Sequence, residues 1–133
     1  GISPKNIEGI ASGGEMARLM LTLKYIMVGQ GNLPTILFDE IDTGVSGEVA
    51  DAMGSMIERM STRVQVINIT HLPQVAAKGQ AHFLVYKDNS SGVAASKIKK
   101  LDAQERVEEL AKMLSGKIVT DAARDQASQL LNP

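Results

Sequence analysis

Hydrophobic residues in the first half of the chain switch between helical and strand-like spacing. After Ser12 they recur every three or four residues, at Met16, Leu19, Met20, Leu23, Ile26 and Met27. Ser12 and Glu15 have the spacing of a capping box, so a helix is predicted from Ser12 to Gly29. Three apolar segments of strand, helix and strand type follow, at residues 35–38, 47–60 and 64–69. This order predicts an α/β fold with a parallel sheet, its strands covered on both faces.

The second half of the chain carries the signals of a hairpin followed by two helices. Its predicted elements are a short helix at 73–77, strands at 82–87 and 94–101, and helices at 102–115 and 120–131. Residues 88–92 between the strands have strong turn chemistry, and Asp102 and Glu105 repeat the capping-box spacing. These elements predict one domain over residues 1–133, with flanking helices and a terminal β-hairpin.

Charge balance and cysteine content narrow the class of protein. Fourteen basic residues face fifteen acidic ones, and the net charge of −1 argues against a dedicated nucleic-acid-binding surface in this segment. The densest basic patch, Lys97, Lys99 and Lys100, fits a solvated strand edge. The lack of cysteine excludes disulfides and thiolate metal sites, and it suits a reducing cytoplasm. No apolar run is long enough to cross a membrane, and Gly1 in place of an initiator Met indicates a piece of a longer protein.

Two glycines stand at the start of the first predicted helix, within the segment Ser12-Gly13-Gly14-Glu15. Glycines leave backbone N–H groups accessible and the helix dipole adds positive potential, so with the Ser12 hydroxyl this segment can form an anion cradle. The same residues also fit an ordinary capped helix, because capping boxes are common at helix starts. The pattern alone leaves both interpretations open.

Two adjacent carboxylates, Asp39 and Glu40, follow the apolar run 35–38. Ligands in α/β sheets bind at the carboxyl ends of the strands. One acid there can hold Mg²⁺, and a second can orient or deprotonate an attacking water. The alternative is a strand that simply ends in polar residues.

His71 follows the second apolar run after Thr70, and parallel strands would bring it to the same edge as the two acids. Its imidazole can donate a hydrogen bond to a phosphate oxygen. A lone histidine is more often structural, so its position beside Asp39 and Glu40 is what favours contact with a ligand. Asp42 lies just beyond the acids, in a turn that leads to a helix start.

In this order, the four segments resemble the motifs of an ABC ATPase head. Residues 12–15 resemble the signature motif, and residues 36–40 resemble Walker B with its catalytic glutamate. Asp42 falls at the D-loop aspartate and His71 at the switch histidine. The residues within and around these motifs, over nearly the whole chain, are similar to the RecN family of SMC-like ABC ATPases. The resemblance implies the carboxy-terminal half of an ATPase head, cytoplasmic and nucleoid-associated, that acts in DNA double-strand-break repair and recombination.

The resemblance also implies a role for each site residue. In ABC heads two protomers enclose two ATP molecules, so Ser12, Gly13, Gly14 and Glu15 would bind the nucleotide held by the partner protomer. Asp42 would couple the two sites across the dimer. Within its own protomer's site, Asp39 would support Mg²⁺, Glu40 would polarise the attacking water and His71 would sense the γ-phosphate. These roles suit phosphoryl transfer, in which positioning and charge stabilisation dominate.

One expected motif is missing from the sequence, the phosphate loop of the type G-x-x-x-x-G-K-[ST]. Gly116 and Lys117 are followed by Ile118, and Ala111 stands where the first glycine should be. The implied partners are therefore an amino-terminal lobe that carries Walker A, a second head and, through the full-length protein, DNA. ATP and Mg²⁺ are not expected to bind tightly to this chain alone, and ATPase activity is expected only of the complete protein. A non-catalytic interaction module, or the head lobe of another SMC-like ATPase, is the alternative.

Overall fold

The computed structural model describes residues 13–28, 34–89, 94–116 and 118–132, and every predicted helix and strand is confirmed to within a residue at the ends that lie in these ranges. The elements are α1 (Gly13–Val28), β1 (Thr35–Asp39), α2 (Gly47–Ser61), β2 (Gln65–Ile69), α3 (Pro73–Ala77), β3 (Phe83–Asp88), β4 (Ala95–Lys100), α4 (Ala103–Ser115) and α5 (Asp121–Leu131). Ser12, and with it the first predicted capping box, lies outside the described residues. The chain divides between Val75 and Ala76 into two compact units, and a single domain over residues 1–133 stays a prediction.

The first unit is built on a parallel pair of strands. β1 and β2 pair in register from Thr35 opposite Gln65 to Asp39 opposite Ile69. Alternate side chains of β1 point to opposite faces, so Ile36 and Phe38 enter the core. The core consists of Leu21, Val28, Ile36, Phe38, Met53, Ile57, Met60 and Val75. The sheet therefore presents the carboxyl ends of both strands at one edge.

The prediction that these strands are covered on both faces is wrong for the described residues. Leu37 is 59% exposed, and Ile67 and Ile69 are each 48% exposed. The apolar run predicted a doubly covered sheet, because strands with both faces buried are apolar throughout. The described part of the chain supplies core packing for one face only.

Helix α1 also differs from the expected pattern. Its buried residues are Leu21 and Val28, two turns apart on one side of the helix. The apolar positions at Leu19, Met20, Leu23, Ile26 and Met27 are all at least 37% exposed, and we call these five residues the α1 apolar face. A helix that is apolar on more than one side is typical of an element packed between two layers.

The second unit contains the β3–β4 hairpin and a pair of helices. β3 and β4 are antiparallel, with Phe83 opposite Lys100 and Asp88 opposite Ala95. As predicted, β4 is exposed along its length, and its lysines are solvated. Lys97 forms an ion pair with Asp88 and Lys99 with Glu105.

Helices α4 and α5 pack through small residues. Their core consists of Ala77, Leu110, Ala111, Ala123 and Ala127, with the predicted Val107 and Leu114 packed against it. The capping box at the start of α4 is confirmed, because Glu105 N donates to Asp102 Oδ1 over 2.8 Å and Asp102 N donates to Glu105 Oε2 over 3.1 Å. None of the described helices has both the length and the apolar composition that a membrane span requires.

Candidate functional site

The carboxyl ends of β1 and β2 bring three of the predicted site residues to one edge of the sheet. Asp39 closes β1 opposite Ile69, and both Glu40 and His71 are exposed in the loops that follow. Glu40 N donates to Ile69 O over 3.0 Å, which extends the pairing of the two strands by one hydrogen bond. Two carboxylates and an imidazole therefore leave the sheet at neighbouring points, as the parallel arrangement predicts.

The backbone turns sharply at Glu40, which has a φ of 47°. A side chain in this left-handed region costs about 1–2 kcal/mol, because its Cβ approaches the following carbonyl. Two hydrogen bonds hold the turn, since Glu40 O accepts from Thr43 N at 3.3 Å and from Thr43 Oγ1 at 2.8 Å. Strained residues that are held in this way cluster at functional sites.

Asp42 is buried, with 1% of its surface exposed. Its Oδ2 accepts a hydrogen bond from Thr70 Oγ1. Among the residues that the structure describes, none donates a hydrogen bond to Asp42 Oδ1, although this atom is also buried. The resemblance gave Asp42 a role across a dimer, whereas here its side chain joins the loop after β1 to the loop after β2 within one chain.

A groove of about 540 Å³ lies between the start of α1 and the loop that precedes α2. It is lined by Gly14, Arg18, Thr43, Gly44, Val45, Ser46 and Val49. A Cβ on Gly14 would lie 3.5 Å from Val45 Cγ1 and 3.7 Å from Gly44 O, so these two segments are already in close contact. Gly13 and Glu15 belong to the same helix start, and Ser12 lies outside the described residues.

Two residues of this region were given no role in the site from the sequence. Arg18 lies one turn after Gly14 and adds a positive charge to the groove, a position that i to i+4 spacing could have indicated. Thr70 connects Asp42 to the His71 loop. No periodicity signals this contact, because Asp42 and Thr70 are 28 residues apart in the chain.

The described residues contain no cluster of three or more histidine, aspartate or glutamate side chains able to enclose a metal ion. Asp39 and Glu40 nevertheless offer exposed carboxylate oxygens at the edge of the sheet. Mg²⁺ is typically bound by one or two carboxylates, with phosphate oxygens and water completing the shell. These two acids therefore fit a Mg²⁺ ion shared with a nucleotide, and they do not form a metal site by themselves.

The curated proteins similar to this chain in sequence include several named DNA repair protein RecN. No family model matches the chain. The chain is 45% identical over 131 residues to the DNA repair protein RecN of Rickettsia bellii (strain RML369-C), which covers 98% of this chain and 24% of that protein. It is 43% identical over 127 residues to RecN of Bacillus subtilis (strain 168), covering 96% of this chain and 22% of that protein. The chain thus spans about a quarter of the length of these relatives.

Solved structures similar to this chain are SMC ATPase heads. An SMC head domain with coiled coil and joint from Pyrococcus yayanosii superposes with a TM-score of 0.67, at 24% identity, over 76% of this chain and 19% of that one. A structure from work on ATP-driven dimerization and DNA-stimulated activation of SMC ATPases has a TM-score of 0.63 and 25% identity, over 89% of this chain and 70% of that one. The fold is thus part of an SMC-type ATPase head, and it contains the predicted parallel sheet and hairpin.

Proposed function

We propose that this chain, which is similar to RecN proteins over nearly its whole length, is the carboxy-terminal lobe of an SMC-like ATPase head acting in DNA repair. The observation that carries the proposal is the edge of the sheet, where Asp39, Glu40 and His71 leave two strands joined by the Glu40 N to Ile69 O hydrogen bond. A purely structural module needs no exposed acid pair and histidine at the carboxyl ends of neighbouring strands.

Each residue at this edge has a distinct role in the proposal. Asp39 would hold Mg²⁺ through its carboxylate, and the metal would supply positive charge against the phosphates of ATP, whose terminal phosphoryl group is transferred to water. Glu40 would orient a water molecule and accept its proton. His71 would donate a hydrogen bond to a phosphate oxygen. The turn at Glu40 favours this role for its carboxylate, since two hydrogen bonds from Thr43 hold the backbone that carries it.

The chain carries half of the machinery in this proposal. Its sequence has no phosphate loop, so an amino-terminal lobe would have to supply the amides and the lysine that grip the nucleotide. The sequence segment Ser12-Gly13-Gly14-Glu15 would face the nucleotide of a second head. The ATP-driven dimerization described for an SMC relative supports this arrangement.

Action at DNA double-strand breaks, and in recombination, belongs to the complete protein in this proposal. The RecN relatives are DNA repair proteins, and one structural relative is described in terms of DNA-stimulated activation. This chain has a net charge of −1, so the main DNA contacts are placed outside it. Because this action takes place on DNA, it would place the complete protein at the nucleoid, in the cytoplasm.

The direct test is Glu40→Gln in the complete protein. The amide keeps the size of the side chain but cannot accept a proton, so hydrolysis should fall roughly 10²- to 10⁴-fold while ATP binding is retained. Glu58→Gln on the exposed side of α2 is the matched control and should hydrolyse ATP at the wild-type rate. Wild-type turnover in Glu40→Gln would remove Glu40 from the site and overturn the proposal.

The half-site proposal has its own test, a calorimetric titration of this chain alone with Mg-ATP. Binding should be absent or weaker than about 1 mM, because no phosphate loop contributes its amides and lysine. The same titration after addition of the amino-terminal lobe should show binding. Micromolar affinity for the chain alone would mean that it holds a nucleotide by other residues, which contradicts the half-site.

A further inference from the structure

The loops that carry Glu40 and His71 are joined by a partly buried hydrogen bond between two other side chains. Asp42 is 1% exposed, and its Oδ2 accepts from the hydroxyl of Thr70, the residue directly before His71. A hydrogen bond from a hydroxyl to a carboxylate is charge-assisted and roughly twice as strong as a neutral one. The contact spans 28 residues of sequence and connects the segments that follow β1 and β2.

The Thr70 hydroxyl takes part in a second hydrogen bond, as acceptor. Leu72 N donates to Thr70 Oγ1 over 3.0 Å, which closes a turn around His71. A hydroxyl has a single proton, so donation to Asp42 leaves its lone pairs for Leu72 N. Asp42 therefore fixes the rotamer of Thr70 that holds the backbone on both sides of His71.

The other end of the connection leads to Glu40. Val45 N donates to Asp42 O over 3.2 Å, and Thr43 donates twice to Glu40 O, so Asp42 sits within a closed turn that begins at Glu40. A chain of short-range contacts thus runs from Glu40 through Asp42 and Thr70 to His71. Asp42 is buried and Thr70 half-buried, whereas Glu40 and His71 are exposed.

We infer that Asp42 and Thr70 form a positioning pair that sets the placement of His71 relative to Glu40, and that ATP hydrolysis depends on this pair more than nucleotide binding does. The inference rests on the proposed function. Both members act through His71 and neither touches the reacting atoms. The pair gives Asp42 a role inside its own protomer, in addition to the role across a dimer that the resemblance implies.

The first experiment compares three variants of Thr70 and Asp42 in the complete protein. Thr70→Val removes the hydroxyl at nearly constant volume, and Asp42→Ala removes its acceptor. Each should lower kcat roughly 10- to 100-fold, because a shift of about 1 Å in a catalytic group has that effect, with the KM for ATP within about threefold of wild type. Thr70→Ser keeps the hydroxyl and should restore most of the turnover. A KM that rises while kcat is unchanged would overturn the inference.

Thr62→Val is the matched control. Thr62 is exposed at the end of α2, and its hydroxyl donates only to the local Arg59 O, at 2.8 Å. This substitution should leave kcat and KM at their wild-type values. An equal loss in Thr62→Val and Thr70→Val would mean that removal of any threonine hydroxyl lowers activity, and the inference would fail.

A double-mutant cycle separates positioning from plain stability. If Thr70 acts through His71, then Thr70→Val should cost little further turnover once His71→Ala is present. If Thr70→Val instead lowers turnover by the same factor in both backgrounds, the pair acts independently of His71 and the inference is wrong.

A readout that needs no nucleotide is the hydrogen exchange of the Leu72 amide in the same complete protein. The Leu72 amide donates to the Thr70 hydroxyl, which Thr70→Val removes. Exchange of the Leu72 amide should therefore accelerate about fivefold or more in this variant. Asp42→Ala should produce the same acceleration if Asp42 sets the Thr70 rotamer, and no change if it does not. The Arg63 amide, which donates to Met60 O over 3.0 Å, is the internal control.

The order of the measurements keeps the two proposals apart. Glu40→Gln is tested first, and wild-type turnover in that variant would overturn the proposed function and this inference together. If Glu40→Gln is inactive and Thr70→Val keeps wild-type kcat with unchanged Leu72 exchange, only the positioning pair is overturned. Loss of kcat, rescue by Thr70→Ser and faster Leu72 exchange together would establish it.

Discussion

The half-buried imidazole of His82 makes the free energy of unfolding depend on pH. Burial lowers the pKa of His82, the positive charge of Arg106 lowers it further, and the carboxylate of Glu109 opposes both. In the described part of the chain its Nδ1 has no hydrogen-bond partner. The folded chain therefore binds a proton at His82 more weakly than the unfolded chain does, and acid favours unfolding.

The expected outcome is that the free energy of unfolding falls as the pH drops below about 6.5, the value for an unfolded histidine. Above that pH, the imidazole is neutral in both states and the effect is absent. Urea unfolding at pH 7.5 and pH 5.5 should show a smaller loss in His82→Gln than in the wild-type chain. The exposed His71 is the matched control, since His71→Gln should retain the wild-type loss. Equal losses in the wild type and His82→Gln would show that His82 is not responsible.

At the scale of single helices, the starts of α2 and α4 differ in a way that can be measured. Asp102 caps α4 through its side chain, whereas Ser46 stands at the start of α2 and makes no side-chain cap hydrogen bond. Asp102→Ala should therefore destabilise the chain by about 1 kcal/mol, while Ser46→Ala should change its stability by no more than a few tenths. Chemical denaturation of the two variants would show the difference. If Asp102→Ala lowers the free energy of unfolding as little as Ser46→Ala does, the side chain of Asp102 does not contribute the cap of α4.

The helices and strands themselves could be predicted because their signals are local. The apolar runs of β1 and β2, the capping box at Asp102 and the turn chemistry after Asp88 each depend on residues close in sequence. The exposed face of α1 could not be predicted in the same way. Helical spacing shows that α1 is apolar on more than one side, but it does not show which neighbour covers each side, and Leu21 rather than Met20 is buried.

The part of the candidate site that follows from local sequence signals could also be predicted. Asp39, Glu40 and His71 each follow an apolar strand, and parallel pairing brings the ends of such strands together. The burial of Asp42 and its hydrogen bond to Thr70 depend on how two loops pack, which residue spacing does not encode.

At the scale of the whole molecule, the described residues leave a row of large apolar side chains of α1 exposed. The five residues of the α1 apolar face form a continuous stripe at spacings of three and four, and they are 37–58% exposed. Apolar surface that is continuous in this way marks an interaction site or an aggregation liability. In the proposed function, the remainder of the head would cover such surface, which the chain alone leaves in water.

Self-association of the isolated chain should therefore depend on this face. Ile26→Lys places a charge in the middle of the stripe and should raise the concentration at which light scattering detects association by several-fold. Ile118→Lys is the control, because Ile118 is 77% exposed but lies outside the stripe. An equal shift in both variants would indicate a general effect of added charge, with no special role for the α1 apolar face.

The left-handed turn at Glu40 has a consequence for how this chain can change over time. Glycine or asparagine fits a φ of 47° with less strain than glutamate, so either substitution should make the fold more stable. Selection for thermal resistance alone would therefore favour loss of the carboxylate that the proposed chemistry requires. Laboratory evolution for thermal stability without an activity screen would therefore select variants that cannot hydrolyse ATP. Retention of glutamate at this position would indicate that hydrolysis is under selection.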